Sequence, residues 1–131
     1  KTMFLMFQEQ GAEDWATSLR ISPKHSNRAD KIEFHHIFPR AFLKEERKDL
    51  QDNEINDIAN YAFIGAKTNK QISAKSPAAY RGDYPETGLK AQLVDFEAWG
   101  DEGADFERFI GQRREAIVRD LNVFVGLEAS R

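Results

Sequence analysis

The sequence predicts an α+β domain, with a short two-stranded sheet and one helix at its centre and additional helices wrapped around them. Three observations carry the prediction. In Glu33-Phe34-His35-His36-Ile37-Phe38-Pro39, apolar residues flank two histidines and a proline halts the run, the pattern of a short strand over Ile32 to His36. Tyr61 to Ile64 reads as a second strand, followed by a turn at Gly65. Thr68-x-x-Gln71 then fits a capping box, which starts a helix there and puts Asn69 in its first turn.

The remaining elements follow in order. Met3 to Phe7 is apolar and ends at Gly11, so it reads as the tail of a buried helix, and Trp15 is expected to anchor the next segment to the core. Ser22 to Asp30 is polar and carries Pro23, His25 and Asn27, the composition of a loop. Arg40 to Lys48 suggests a short helix. Asp52 is a good N-cap for another through Ala59, with Ile55 and Ile58 on its inner side. Pro77 is expected to stop the helix that carries Asn69, and Ala78 to Leu89 reads as irregular. Phe106, Ile110, Ile117, Leu121 and Phe124 recur at helical spacing, predicting one amphipathic helix over about 104–125 with a packing role.

Composition bounds the class. A chain of 131 residues is expected to form a single domain with one core, and 40% apolar content with ten phenylalanines supports a packed globule rather than disorder. No apolar run approaches the length of a membrane span. The absence of cysteine excludes a disulfide framework and a thiolate zinc site, and suits a cytoplasmic location. Lys1 is not an initiator methionine and no signal-peptide pattern follows it, so the chain is expected to be a fragment of a longer protein.

Net charge is −3, which does not advertise a nucleic-acid partner, but its distribution says more. Lys67, Lys70, Lys75 and Arg81 lie between Ala62 and Gly82 with no acid among them. Arg20, Lys24 and Arg28 form a second acid-free stretch. Val94 to Glu107, by contrast, holds six acids and no base. A local basic face beside an acidic segment is compatible with phosphate binding, although charge alone slightly favours an ordinary solvated surface.

Two imidazoles and two asparagines thus stand at element ends in the order His, His, Asn, Asn. One imidazole could accept a proton from water near neutral pH, while the other and an asparagine carbonyl could hold a divalent ion. Period-two alternation would send His35 and His36 to opposite faces of a straight strand, so both can serve one phosphate only if the strand ends or bends there.

These residues resemble the HNH, or ββα-metal, nuclease superfamily. His-His-Ile-Phe-Pro, Ile-Ala-Asn-Tyr-Ala-Phe-Ile and Thr-Asn-Lys-Gln-Ile-Ser look most like the C-terminal nuclease domain of GmrSD-like modification-dependent restriction proteins, which act in bacterial anti-phage defence. The likeness centres on residues 32–75. It implies a ββα-metal core and a metal-dependent DNA endonuclease. By the same resemblance His35 and Asn69 are metal ligands, His36 is the general base, and Asn60 ties the loop and orients that base. Mg2+ or Mn2+ is the implied ion, with Zn2+ as an alternative. DNA is the implied partner, contacted by Lys67, Lys70, Lys75 and Arg81, together with an N-terminal nucleotide-binding or sensing region outside this chain. His35 stands where many relatives carry Asp, and Asn69 where many carry His; a neutral ligand set of this kind should hold metal weakly. Glu33 and Asp57 are expected not to be ligands, though either could orient one. The rival reading is a non-catalytic DNA-binding or protein-interaction module on the same fold.

Overall fold

The computed structural model describes residues 2–22 and 31–129, and these form a mixed α+β arrangement. Its only sheet among the described residues is an antiparallel pair, β1 (Ile32–His36) and β2 (Tyr61–Gly65), registered so that Phe34 faces Phe63 and His36 faces Tyr61. The ladder runs past both ends, with Ile37 N–H donating to Asn60 O at 2.8 Å and Ala66 N–H to Lys31 O at 2.8 Å. In chain order α1 (Thr2–Glu9) precedes β1, and α2 (Arg40–Glu46) and α3 (Asp52–Ile55) lie between the strands. After β2 come α4 (Ala66–Ile72), α5 (Pro77–Tyr80), α6 (Glu86–Ala91), α7 (Phe96–Trp99) and the long α8 (Phe106–Ala129).

Alternation divides the hairpin into two faces. Phe34 and His36 pair with Phe63 and Tyr61 on an aromatic face, where Phe4 and Phe7 of α1 pack against Phe63. Glu33 and His35 share the other face with Ala62 and Ile64, toward α4 and the buried Trp15 and Tyr80. The core continues through Phe38, whose ring meets Phe96, Phe106 and Phe109 edge-on. In α8, Phe106, Ile110 and Ile117 are buried as their spacing predicts, and Leu121 and Phe124 pack partly buried against the core.

Four local expectations are corrected. Thr68 does not cap α4: the helix begins at Ala66 with Gly65 as its N-cap, and Thr68 donates to Asp14 Oδ2 at 2.7 Å. Asp14 also takes the Gly65 N–H at 2.7 Å, so a carboxylate from the N-terminal segment serves the helix start. Asp52 does not cap α3 either. Gln51 does, and the helix stops at Ile55 because Asp57 caps a separate 3₁₀ turn over Ile58–Asn60. Ile58 is accordingly exposed. Pro77 does not end α4, which closes at Ser73 with φ +51°; it opens α5, capped by Ser76. The stretch read as irregular contains α5, a 3₁₀ turn at Arg81–Asp83 and α6.

Phe63 sits in the middle of β2, and its N–H and C=O point away from β1. Buried Gln92 supplies both partners, accepting from Phe63 N–H at 2.8 Å and donating to Phe63 O at 2.7 Å. Gln92→Leu should therefore destabilise the fold by about 2 kcal/mol or more, because two buried backbone groups lose their partners. A lowered urea midpoint at unchanged m-value is the expected reading.

Candidate functional site

The His35 side chain leaves β1 into a pocket built by α4, α5 and the N-terminal segment. The ring is 2% exposed, and both Trp15 and Tyr80 meet it edge-on, at 5.4 and 5.6 Å between centroids. Its Nδ1 lies 2.9 Å from Asn69 Oδ1 and its Nε2 3.4 Å from Tyr80 Oη. Asn69 Nδ2 donates to Glu33 Oε1 at 3.0 Å, which fixes the amide with its oxygen toward His35 and thereby places the imidazole proton on Nδ1. Burial pushes the His35 pKa down to about 4; the bond to Asn69 opposes that shift and neighbouring His36 adds to it. Tyr80 donates its own proton to Ile37 O at 2.6 Å.

Asn60 is fully buried at the start of β2. Its Oδ1 accepts from Phe38 N–H at 2.9 Å, and its Nδ2 donates to Ile55 O at 2.8 Å and Phe38 O at 3.2 Å. It thus ties the ends of the connection between the strands. None of these side-chain bonds goes to His36. That ring lies over Tyr61, 4.6 Å between centroids, and its Nε2 is 2.9 Å from Asn56 Oδ1. Because the ladder continues through Ile37 and Asn60, β1 does not bend at the histidine pair, and the two rings stay on opposite faces. The structure brings His35 and Asn69 together and leaves His36 with a different set of neighbours.

The basic residues separate similarly. Lys67 and Lys70 are exposed on α4, and Lys75 is exposed just beyond it. Arg81 is elsewhere in character: its guanidinium binds Asp101 at 3.0 Å and Glu97 at 3.1 Å and lies over the Phe96 ring. Its charge is already matched by the acidic segment, whereas among the described residues the three lysines show no ion pair. Lys24, His25 and Arg28 lie outside the described residues.

Sequence reasoning missed Asn56 and Tyr80, which touch the two histidines, and the carboxylate of Asp14. Burial raises the Asp14 pKa, but hydrogen bonds from Thr68, Gly65, Thr17 and Ala16 outweigh it and leave the group below its ordinary value. Asn56 stands four residues before Asn60 in the strand-connecting segment, and Tyr80 follows Pro77 in a stretch without helical periodicity. Neither position carries a local signal of its role.

Among the described residues, no three His, Cys, Asp or Glu side chains cluster as a metal site. An ion at His35 would therefore have to draw on an amide oxygen, and Asn69 Oδ1 is the one in reach. Among the described residues, no helix is long and apolar enough to cross a membrane.

The depressed His35 pKa makes a stability prediction. An unfolded histidine titrates near 6.5, so between about 6.5 and 4 the unfolded chain binds the extra proton. The contribution is complete above that window and is lost as pH falls through it, at full size about 3 kcal/mol. The difference in unfolding free energy between the natural chain and His35→Phe should shrink by that order between pH 7 and pH 4. A difference independent of pH would mean that His35 is not held neutral by the fold.

Compared with known proteins, the chain matches no family model and no solved structure. It is 44% identical over 68 residues to a protein of the archaeon Methanocaldococcus jannaschii described as "Uncharacterized protein MJ0686". The matched region is 52% of this chain but 11% of that protein, so the chain spans about a tenth of the curated relative it matches.

Proposed function

We propose that this domain is a metal-dependent endonuclease of the ββα-metal type that hydrolyses phosphodiester bonds in DNA. The observation that carries the reading is the contact between His35 on β1 and Asn69 on α4, 34 residues apart in sequence and 2.9 Å apart in space. Asn60 supports it by holding the connection between the strands from a buried position. An imidazole nitrogen and an amide oxygen, both neutral, would hold Mg2+ or Mn2+ weakly, and Zn2+ is the alternative that imidazole suits better. When bound, a divalent ion supplies charge neutralisation for the phosphate.

The chain's own residues do the rest. Asn56 Oδ1 accepts the Nε2–H of His36, so the lone pair of that ring lies on Nδ1, where it can take a proton from the attacking water. On this reading His36 works from one face of β1 and the His35–Asn69 pair from the other, so DNA binding has to move the end of β1 for both to serve one phosphate. Lys67, Lys70 and Lys75 supply positive charge for the backbone on either side of it. Contacts confined to phosphate carry no base information, so the domain should have little sequence preference of its own. On the resemblance, its setting is restriction or anti-phage defence in the cytoplasm, directed by a sensing or nucleotide-binding region of a longer protein.

The second reading, a non-catalytic module that docks DNA or a protein, is favoured by the opposite faces of the two histidines and by the burial of His35. Plasmid cleavage by the purified chain with Mg2+, with Mn2+ and with EDTA separates the two. Cleavage abolished by EDTA supports the nuclease, whereas binding without cleavage under every metal condition supports the module. His36→Ala should lose at least roughly a hundredfold in single-turnover rate while keeping its metal affinity. Replacing Lys67 and Lys70 together by Ala should lower the salt dependence of DNA affinity by roughly two units of slope for every sequence tested. An unchanged slope would move the phosphate contacts off α4.

A further inference from the structure

Glu33 enters the site from an unexpected position. It precedes His35 by two residues, on the same face of β1, and is exposed where His35 is buried. One amide joins the two: Asn69 presents its oxygen to His35 Nδ1 at 2.9 Å and its nitrogen to Glu33 Oε1 at 3.0 Å. The Asn69 amide thus links an exposed carboxylate at its nitrogen end to a buried imidazole at its oxygen end. His35 and Asn69 alone are both neutral, and a neutral pair holds a hard cation weakly; one carboxylate changes that balance.

The imidazole must also present a lone pair. In the bridged arrangement Nδ1 carries the proton and donates it to Asn69. Moving that proton to Nε2 frees Nδ1 with no net gain or loss of protons. Nε2 then needs an acceptor inside a buried pocket. Tyr80 Oη is 3.4 Å away, and its own hydrogen is committed to Ile37 O at 2.6 Å, so the lone pair it turns toward Nε2 is of the kind required.

Resting on the reading of the domain as metal-dependent, we propose that Glu33 is the carboxylate donor of a divalent-cation site with Asn69 Oδ1 and His35 Nδ1. Tyr80 is the positioning residue that accepts the His35 Nε2–H when Nδ1 is in use. The site takes a hard divalent cation of the Mg2+ or Mn2+ class from its exposed, Glu33 side.

Calorimetric titration of Mn2+ into the full chain, with 15N-histidine spectra recorded under Mg2+, tests both parts. Glu33→Gln should weaken Mn2+ binding at least roughly tenfold, and Glu33→Asp should recover part of the loss. Because Glu33 is exposed, neither change should disturb the fold. Mg2+ should shift the His35 signals from the Nδ1–H to the Nε2–H tautomer in the natural chain, and Tyr80→Phe should suppress that shift. Glu33→Gln binding Mn2+ as tightly as the natural chain would overturn the assignment while leaving DNA cleavage to be judged by its own assay. A Glu33-dependent Mn2+ site in a chain that cuts no DNA would keep the cation site and remove the nuclease reading. A natural chain that takes up no Mn2+ removes both.

Discussion

The structure depends on one buried amide being fully used. Asn60 makes three hydrogen bonds inside the core, and each partner is a backbone group of the segment that leaves β1 and returns to β2. An amide left short of partners at this depth would cost free energy, so its side chain and that segment specify one another's conformation. Tyr80 holds the Ile37 carbonyl, and Arg113 holds that of Ala59 at 2.8 Å, so the same junction is gripped from three elements. The positions of both histidines follow from that grip, since they are the last two residues of β1.

A two-stranded sheet cannot satisfy its own backbone, and side chains complete the account. Arg113 is the extreme case. It is fully buried among the carbonyls of Ala59, Gln92 and Leu93, has no carboxylate hydrogen-bond partner among the described residues, and lies over the Phe7 ring. Burial pulls its pKa down to about 9, which leaves it charged at neutral pH. At the surface, charge is sorted differently. Arg47 pairs with Glu107 and Asp49, Arg81 with Glu97 and Asp101, and Arg108 with Asp105, so much of the acidic segment is neutralised by arginine. Lys67 and Lys70, by contrast, stand exposed on α4.

Much of the centre was legible in the sequence because its signals are local. A proline-stopped apolar run and the Tyr61–Ile64 run mark both strands, and the spacing in α8 marks its buried stripe. The register of β1 on β2 and the approach of Asn69 to His35 follow once those elements are placed. What could not be read depends on distant partners. Thr68 has the chemistry of a helix cap, but Asp14, 54 residues earlier, claims its hydroxyl and takes over the helix start. Asp52 likewise has cap chemistry, yet Gln51 holds that place, and the 3₁₀ turn that Asp57 caps at Ile58–Asn60 ends the helix early. Arg113 reads as one more charge on an amphipathic helix until the carbonyls around it are known. The separation of the two histidines was foreseeable from alternation, and no bend intervenes to undo it.

Gln92 has a consequence beyond its own two bonds. By mimicking a neighbouring strand at Phe63, it occupies the middle of the β2 margin that faces away from β1, where another chain could add itself to the sheet. The hairpin is thereby insulated on that side from strand addition, whether by a peptide ligand or by a second copy during folding. A sheet this small would ordinarily be open to recruitment along both margins; here the Gln92 amide, with the Asp14 carboxylate on the Gly65 N–H, closes the inner one.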